Sequence, residues 1–291
     1  MHAYLILAHH NFEQLTKLLA LLDDEHNDIY LHIDKKVKTI PFVELTASIK
    51  KAQLYYTERV CVSWAGYSQV EATLLLLRHA TFVPHEYYHL ISGDDLPLKS
   101  QTDIYNFFTQ NQGKNFINVG ANDRERKEFR QRISKFYWFQ DIVGRDYSFM
   151  KRTLRKLDRF SCRVQSKLGI DRIKNVDITF YQGSQWFSIT DAFARYILEK
   201  ASFIKKHYKC TFCPDESFVA TLLMNSAFKD TLSPQKIRKI DWIRGNPYVF
   251  RCADYDALIQ SNYLFARKFD ETVDNRIILR IFDSIITQQT V

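Results

Sequence analysis

The feature that most constrains the fold is an alternation of short apolar runs with segments of helical periodicity in the first third of the chain. The runs have the length and composition of buried strands, and they are "AYLILA" (3–8), "DIYLHID" (28–34), "AQLYYT" (52–57) and "YYHLIS" (87–92). Strands that alternate with helices predict the α/β fold class. We expect one domain with a Rossmann-like, mostly parallel central sheet and helices on both faces.

Polar residues follow several of these predicted strands. His9 follows the first strand, which ends at Ala8, Asp34 ends the second, and Asp94 and Asp95 follow the fourth. Ligands of open α/β sheets bind outside the carboxyl ends of the strands. These residues are therefore predicted to face one ligand cleft.

Several residues have the pattern of helix or strand ends. Asn11 with Gln14, and Ser68 with Glu71, resemble capping boxes at the start of helices. Later in the chain, "ITFYQGSQWFSI" (178–189) predicts a strand or a hairpin bent at Gly183, and Thr190 is expected to start the next helix. Trp64 is predicted to pack beneath the helix that begins near Ser68.

Composition narrows the class of protein. With 46% hydrophobic residues in 291, the chain can bury a large core. It has no uninterrupted apolar run of the roughly 18 residues that a membrane span needs, and "MHAYLILAHHNF" lacks a secretory pattern. Five cysteines at irregular spacing favour reduced thiols. We therefore expect a soluble, cytoplasmic protein.

The formal charge of +8 predicts an anionic partner. Its basic residues cluster between about 121 and 175, where "DRERKEFRQRISKFYW" and "KRTLRKLDRFSCRVQSK" are expected to contain helix. The stretch is either a solvated basic face or a surface for an anionic acceptor or membrane. Nucleic acid is a weaker alternative because no RNA- or DNA-binding motif accompanies the charge.

An adjacent pair of acids, Asp215 and Glu216, follows Pro214 in "TFCPDESF". Proline and acids are both common in the first turn of a helix, so helix capping is one interpretation. The other is that one carboxylate caps while its neighbour removes a proton from a substrate hydroxyl. Trp186 is a candidate platform for a sugar ring, with core packing as the alternative.

Possible metal ligands are poorly spaced. Asp94 and Asp95 are adjacent, without the Asp-x-Asp spacing of many nucleotide-sugar transferases, and "DYD" (254–256) is expected to cap a helix. "HYKCTFC" (207–213) lacks a second ligand pair for zinc. Without a metal, fixed cations must neutralise a departing diphosphate. Arg244 and Lys268 are the basic residues whose settings look least like free surface.

Several short strings together resemble one known family. In chain order they are "AYLILAHHNFEQLTKLL", "DIYLHIDKK", "SWAGYSQVEA", "HLISGDDLPLKS", "GSQWFSIT", "PDESF" and "LFARKFD". They are similar to those of the core-2/I-branching β1,6-N-acetylglucosaminyltransferase family, which also includes peptide O-xylosyltransferases. The similarity covers about 3–118 and 178–274 and leaves the basic middle unmatched.

The resemblance implies a GT-A type fold, a UDP-sugar donor, inversion at the anomeric carbon and no required metal or other cofactor. By position it places the catalytic base at Glu216, the two diphosphate-binding cations at Arg244 and Lys268, and a residue near the uridine at Asp34. Ala8 and His9 are assigned to the same nucleotide or diphosphate site. Asp94 and Asp95 are assigned to the donor sugar or cleft, and Asp215 with Trp186 to the acceptor.

On this reading the chain is one glycosyltransferase domain. It has a nucleotide-binding half at about 1–120, a basic helical insertion at about 121–175 and an acceptor half at about 176–291. The expected donor is UDP-N-acetylglucosamine. UDP-xylose, UDP-glucose and a non-catalytic binding relative remain alternatives. The expected acceptor is a glycan or a lipid-linked oligosaccharide, and a bacterial, cytoplasmic enzyme in peripheral contact with an anionic inner membrane face is expected.

Overall fold

A computed structural model describes residues 1–145 and 148–290 of the chain. Within these ranges the strands form two sheets, one of six strands and one of three. In chain order the strands are β1 (His2–Ala8), β2 (Asn27–Ile33), β3 (Gln53–Tyr56), β4 (Tyr87–Ser92), β5 (Asp95–Pro97), β6 (Phe116–Asn122), β7 (Tyr181–Thr190), β8 (Arg238–Ile240) and β9 (Phe265–Arg267).

The six-stranded sheet has the order β3-β2-β1-β4-β7-β6. Its first four strands are parallel, and β7 runs antiparallel to both of its neighbours. The prediction of a mostly parallel α/β sheet is therefore confirmed. The smaller sheet has the order β5-β9-β8 and joins the residues just after β4 to the segment near 266.

Helices connect the strands and cover both faces of the main sheet. They are α1 (Phe12–Leu22), α2 (Phe42–Ala47), α3 (Tyr67–Ala80), α4 (Gln101–Gln110), α5 (Lys127–Ser134), α6 (Gln140–Val143), α7 (Phe149–Lys167), α8 (Asp191–Glu199), α9 (Ala201–Tyr208), α10 (Phe218–Met224), α11 (Tyr255–Ile259) and α12 (Glu271–Thr290). No helix in the described ranges combines the length and apolarity needed to cross a bilayer.

Two hydrophobic cores lie on opposite faces of the sheet. Tyr4 and Ile6 of β1 contribute to the core under α1 and α12, whereas Ala3 and Leu5 contribute to the core under α3, α8 and α10. Side chains of a strand alternate between faces, so a continuous apolar run is what a strand covered on both sides requires. This is why the run "AYLILA" predicted β1 correctly.

The two predicted capping boxes do not form. Asn11 is left-handed (φ 52°) without a side-chain cap, and Gln14 instead donates to the carbonyls of Gly93 (2.9 Å) and Phe269 (3.3 Å). Helix α3 begins one residue earlier than predicted, and Ser68 donates to Asp141 (2.8 Å). Tertiary partners far along the chain replaced the local ones in both cases.

Strand β7 is continuous over ten residues, so the predicted bend at Gly183 is wrong. A Cβ at Gly183 would lie 2.6 Å from the carbonyl oxygen of Asn118 and 2.8 Å from Cβ of Ala220. The glycine is required because β6 and α10 approach the backbone closely there. The predicted start of the next helix is confirmed, since the Thr190 hydroxyl accepts a hydrogen bond from the amide of Phe193.

Candidate active site

A cavity of about 1230 Å³ opens at the carboxyl ends of β1, β2 and β4. It lies at the edge of the sheet where ligands of α/β proteins bind. The sequence-predicted residues on its wall are Ala8, His9, Asp34, Asp94, Trp186, Asp215, Glu216 and Lys268. Residues spread over most of the chain therefore meet at one site.

Asp94 and Asp95 are adjacent but face different surroundings. Asp95 is buried, accepts hydrogen bonds from the amide and hydroxyl of Ser92 and pairs with Arg267 at 2.6 Å. It is not part of the cavity wall in the described ranges, so the structure gives it a supporting position. Asp94 reaches the cavity, where its Oδ2 lies 3.2 Å from Nζ of Lys268.

Lys268 is held beside the end of β4 by the backbone. The amide of Phe269 donates to the carbonyl of Asp94 (2.9 Å), and β9 pairs with β5 just before it. Arg267 lies next to Lys268 on the cavity wall, with its guanidinium 4.4 Å from the ring centre of Trp186. Arg267 was not singled out in the sequence, although it stands in the same "LFARKFD" string.

Arg244 lies outside the cavity wall in the described part of the chain. It is exposed, pairs with Asp241 (2.6 Å) and Asp254 (2.7 Å) and stacks on Tyr248 at 4.0 Å. Hydrogen bonds from the Arg244 backbone and side chain lower the pKa of Asp241 to about 2. This placement differs from the expected diphosphate contact, because two acids hold the guanidinium in a surface turn.

The acids at 215 and 216 occupy a short 3-10 helix over Pro214–Glu216 that leads into α10. Asp215 is buried, and its Oδ1 has no hydrogen-bond partner among the described residues. Burial, followed by the neighbouring Glu216 charge, raises the pKa of Asp215 to about 7. The buried acid is therefore the one that retains its proton more readily.

Glu216 is 39% exposed and faces the cavity, 3.3 Å from the guanidinium of Arg132 in α5. Burial raises the pKa of Glu216, while Arg132 opposes that shift. When the surroundings of two neighbouring carboxyl groups differ in this way, one group tends to stay protonated and the other to be ionised and able to act as a base. In this pair, Glu216 is the carboxylate suited to accept a proton from a ligand.

Asp34 and His9 line a second part of the wall. Asp34 is buried, with its carboxylate bonded to the backbone amide of Lys36 (2.9 Å) and 3.3 Å from the Lys36 ammonium. His9 stacks on His10 at 4.1 Å, and partial desolvation, followed by the neighbouring His10, lowers its pKa. A lowered pKa keeps His9 uncharged at neutral pH, so it offers a flat, neutral ring beside Ala8.

Sequence reasoning missed the part of the wall supplied by the basic segment. The family strings leave that segment unmatched. Two of its residues, Asp141 and Arg145, line the cavity. A third, Arg132, forms an ion pair with Glu216 of the cavity wall. Trp64 also lines the cavity and is 42% exposed. The guanidinium of Arg145 lies 4.6 Å from the centre of its ring. The predicted packing of Trp64 under α3 is therefore wrong. The sequence carries no local signal for these contacts, because their partners lie about 80 residues apart.

Within the described ranges, no three His, Cys, Asp or Glu residues lie close enough together to bind one metal ion. Cys210 and Cys213 are free thiols. Burial raises the pKa of Cys213 and favours an unreactive thiol.

The cavity lies at the carboxyl edge of a mostly parallel α/β sheet and contains one candidate base and two neighbouring cations. These features are typical of an enzyme that binds an anionic ligand beside a proton acceptor. Residues 2–257 match the family described as "Branch: Core-2/I-Branching enzyme". The chain belongs to this family, which is a family of glycosyltransferases.

Curated relatives include human xylosyltransferase 2, which is 26% identical over 97% of this chain and 33% of its own length. Human xylosyltransferase 1 is 23% identical over 91% of this chain and 28% of its own length. The chain thus spans about a third of the length of the curated relatives it matches.

Solved structures with some likeness include mouse xyloside xylosyltransferase 1 in its apo form, at 10% identity and a TM-score of 0.39 over 91% of this chain and 96% of that one. Core-mannan synthase A from Aspergillus fumigatus is 13% identical, with a TM-score of 0.35 over 79% of this chain and 71% of that one. Both scores are low, so neither structure informs the site.

Proposed function

We propose that the protein transfers a sugar from a UDP-sugar to a hydroxyl group of a glycan, free or lipid-linked, with inversion and with Glu216 as general base. The observation that carries the proposal is that Glu216 and the cations Arg267 and Lys268 line one cavity. The matched family supports glycosyl transfer as the reaction class.

Glu216 accepts the proton of the acceptor hydroxyl as that oxygen attacks the anomeric carbon. The bond from oxygen to carbon forms while the bond from carbon to the diphosphate breaks, on the opposite face of the sugar. A single displacement of this kind turns an α-linked donor into a β-linked product. The raised pKa of Glu216 suits it to take up a proton near neutral pH.

Negative charge grows on the diphosphate as it leaves. Lys268 and Arg267 stand ready to stabilise it, in the place where other transferases use a divalent cation. The transfer is therefore proposed to need no metal. Arg244, which the resemblance assigned to this task, is held by two acids outside the cavity, and Arg267 is the more direct partner for Lys268.

Asp34, His9 and Ala8 are proposed to receive the nucleoside. Asp34 offers acceptor oxygens to an imide or hydroxyl group, and the neutral His9 ring offers a flat surface to a base. Asp94, freed from Lys268 when that lysine turns to the diphosphate, is placed to accept a hydrogen bond from a donor-sugar hydroxyl.

Two donors are favoured by separate observations. The relatives named xylosyltransferases favour UDP-xylose, and the strings shared with the N-acetylglucosaminyltransferases favour UDP-N-acetylglucosamine. Both enter a titration calorimetry screen, run with EDTA and then with manganese. Tight binding in EDTA supports the metal-free proposal, whereas binding that appears only with manganese contradicts it.

Release of UDP separates an enzyme from a non-catalytic relative. Each bound donor is incubated with and without simple glycoside acceptors, and free UDP is measured. Release that depends on an acceptor supports transfer. Binding without any release, for every donor and acceptor, would leave a nucleotide-binding protein instead.

A further inference from the structure

Helix α7 packs onto the protein with its polar side inward. The only residues it buries are Asp158 and Gln165. Asp158 accepts hydrogen bonds from the amides of Trp138 (2.9 Å) and Phe139 (3.2 Å), and Gln165 exchanges two hydrogen bonds with the backbone of Phe136. Polar groups therefore attach this helix, whereas a helix of a globular protein ordinarily buries its apolar stripe.

Most apolar residues of α7 point outward, although Leu154 is half-buried. Phe149 is 88% exposed, Phe160 63% and Leu157 47%, and Val164 is also exposed. At 3.6 residues per turn these four side chains fall within about 80° of one another. They form a continuous apolar stripe, which we call the outer stripe, and Leu168 extends it at the end of the helix.

A row of cations runs beside the outer stripe. Arg152, Lys156, Arg159 and Arg163 are exposed, and none of them forms an ion pair with any residue in the described ranges. The helix carries seven Lys or Arg residues and one acid, so its formal charge is +6 of the +8 of the whole chain. The charge of the protein is thus concentrated on the element that also exposes apolar side chains.

We infer that α7 is a docking surface for an anionic lipid bilayer. A helix that lies in a membrane interface needs an apolar face to enter the acyl boundary and neighbouring cations to meet anionic headgroups. The outer stripe and its row of cations supply both at the same helix face. Nucleic acid would use the cations but not the stripe, and a second copy of this chain would set the cations against each other.

Docking through α7 also orients the cavity. Residues Ile142, Arg145 and Lys151, at and before the first turn of α7, line the cavity wall. Lys151 lies on the side of α7 opposite the outer stripe, so a bilayer in contact with the stripe would lie about one helix diameter, roughly 10 Å, from this side of the cavity. The inference stands independently of the transfer chemistry, but it favours an acceptor carried by a lipid over one in solution.

The test is flotation of the full chain with vesicles of phosphatidylcholine alone or mixed with phosphatidylglycerol. We expect binding only to the anionic vesicles, and weaker binding at high salt because added ions screen the headgroup charge. Phe149→Ser with Phe160→Ser is expected to weaken binding on the order of tenfold or more. Arg159→Gln with Arg163→Gln is expected to cost about fivefold for each cation removed.

Matched controls change equally exposed residues elsewhere. Phe82 and Val43 are 80% and 79% exposed, and Lys205 and Lys206 are exposed cations of α9. Changing Phe82 and Val43 to Ser, or both lysines to Gln, should leave vesicle binding unaltered. Circular dichroism and thermal unfolding confirm that each variant is folded.

Several results would overturn the inference. They are absence of binding to the anionic vesicles, equal binding to neutral ones, and a loss caused as strongly by the control variants. A dimer in light scattering that dissociates with Phe149→Ser and Phe160→Ser would assign the stripe to a second copy instead. The assay contains no donor or acceptor, so its failure and that of the proposed transfer are distinguishable.

Discussion

The cavity has two acidic corners, and they differ in how their charge is balanced. In the corner at the end of β4, Asp94 lies 3.2 Å from Lys268, and Asp95 lies 2.6 Å from Arg267. Arg267 also reaches Asp94 at 3.9 Å, so two cations balance the two acids there. An anionic ligand at that corner would compete with Asp94 for Lys268 and Arg267.

In the corner before α10, two acids share one cation. Arg132 reaches Glu216 at 3.3 Å, and Oδ1 of Asp215 has no partner among the described residues. Both pKa values are raised there. One corner is thus suited to an anion and the other to a proton, which are the two tasks that the proposed inverting transfer needs.

The largest expected effect comes from removing the base. Glu216→Gln keeps the size and hydrogen-bonding ability of the side chain but cannot take up a proton. We expect turnover to fall about 10²- to 10⁴-fold with UDP affinity retained. The measurement is UDP release under saturating donor, alongside calorimetry with UDP. Unchanged turnover would show that the two corners do not divide the work in this way.

A smaller effect is expected at the other corner. Lys268→Ala removes one charge-assisted contact to the diphosphate and should weaken UDP binding about 10- to 100-fold. Arg244→Ala is the matched control and should change affinity little, because its guanidinium is occupied by Asp241 and Asp254. An equal loss in both variants would restore Arg244 to the diphosphate site and contradict the observed placement.

A shift in pH dependence sharpens the comparison further. A general base works as the carboxylate, so the rate falls as the pH drops through the pKa of Glu216. Arg132 holds that pKa down against the effect of burial. Arg132→Gln should therefore move the acidic limb of the pH profile to higher pH. A limb that stays in place would separate Arg132 from the base.

An effect on stability, not on activity, is expected from Asp215. The folded state raises the pKa of Asp215 from 3.8 to about 7, so it binds this proton more tightly than the unfolded chain does. The stabilisation from that proton is complete below 3.8 and lost as the pH rises to about 7 and above.

Asp215→Asn lacks this titration. Relative to wild type, the variant should gain about 3 kcal/mol in free energy of unfolding between acidic and neutral pH. Urea unfolding of both proteins at several pH values measures the difference. A constant difference would mean that Asp215 is charged in the folded protein.

Much of the fold was predictable because it depends on local patterns. The strands β1, β2 and β4 are short, buried and rich in apolar residues, and α1 places its leucines at helical spacing. The acids at the strand ends follow from the same pattern, since parallel strands bring their carboxyl ends to one edge. Lys268 was found because a family string contains it.

Other parts depend on contacts between distant segments. Gln14 and Ser68 had local capping partners in the sequence, but Gly93 and Asp141 bind them in the fold. The basic segment was predicted to be helical and is, yet nothing in its sequence indicated that Arg132 would meet Glu216. Whether Arg244 faces a ligand or two acids is likewise decided by where a surface turn folds.

The side-chain amide of Gln14, in α1, links the backbone segments next to Arg267 and Lys268. Gln14 donates to the carbonyls of Gly93 and Phe269 and accepts from the amide of Glu271, so it fastens the end of β4 to the residues that follow Lys268. The Gln14 side chain is fully buried and carries no charge at any pH. Changes of acidity or ionic strength will therefore alter the charges that the cavity presents without loosening the scaffold that spaces them.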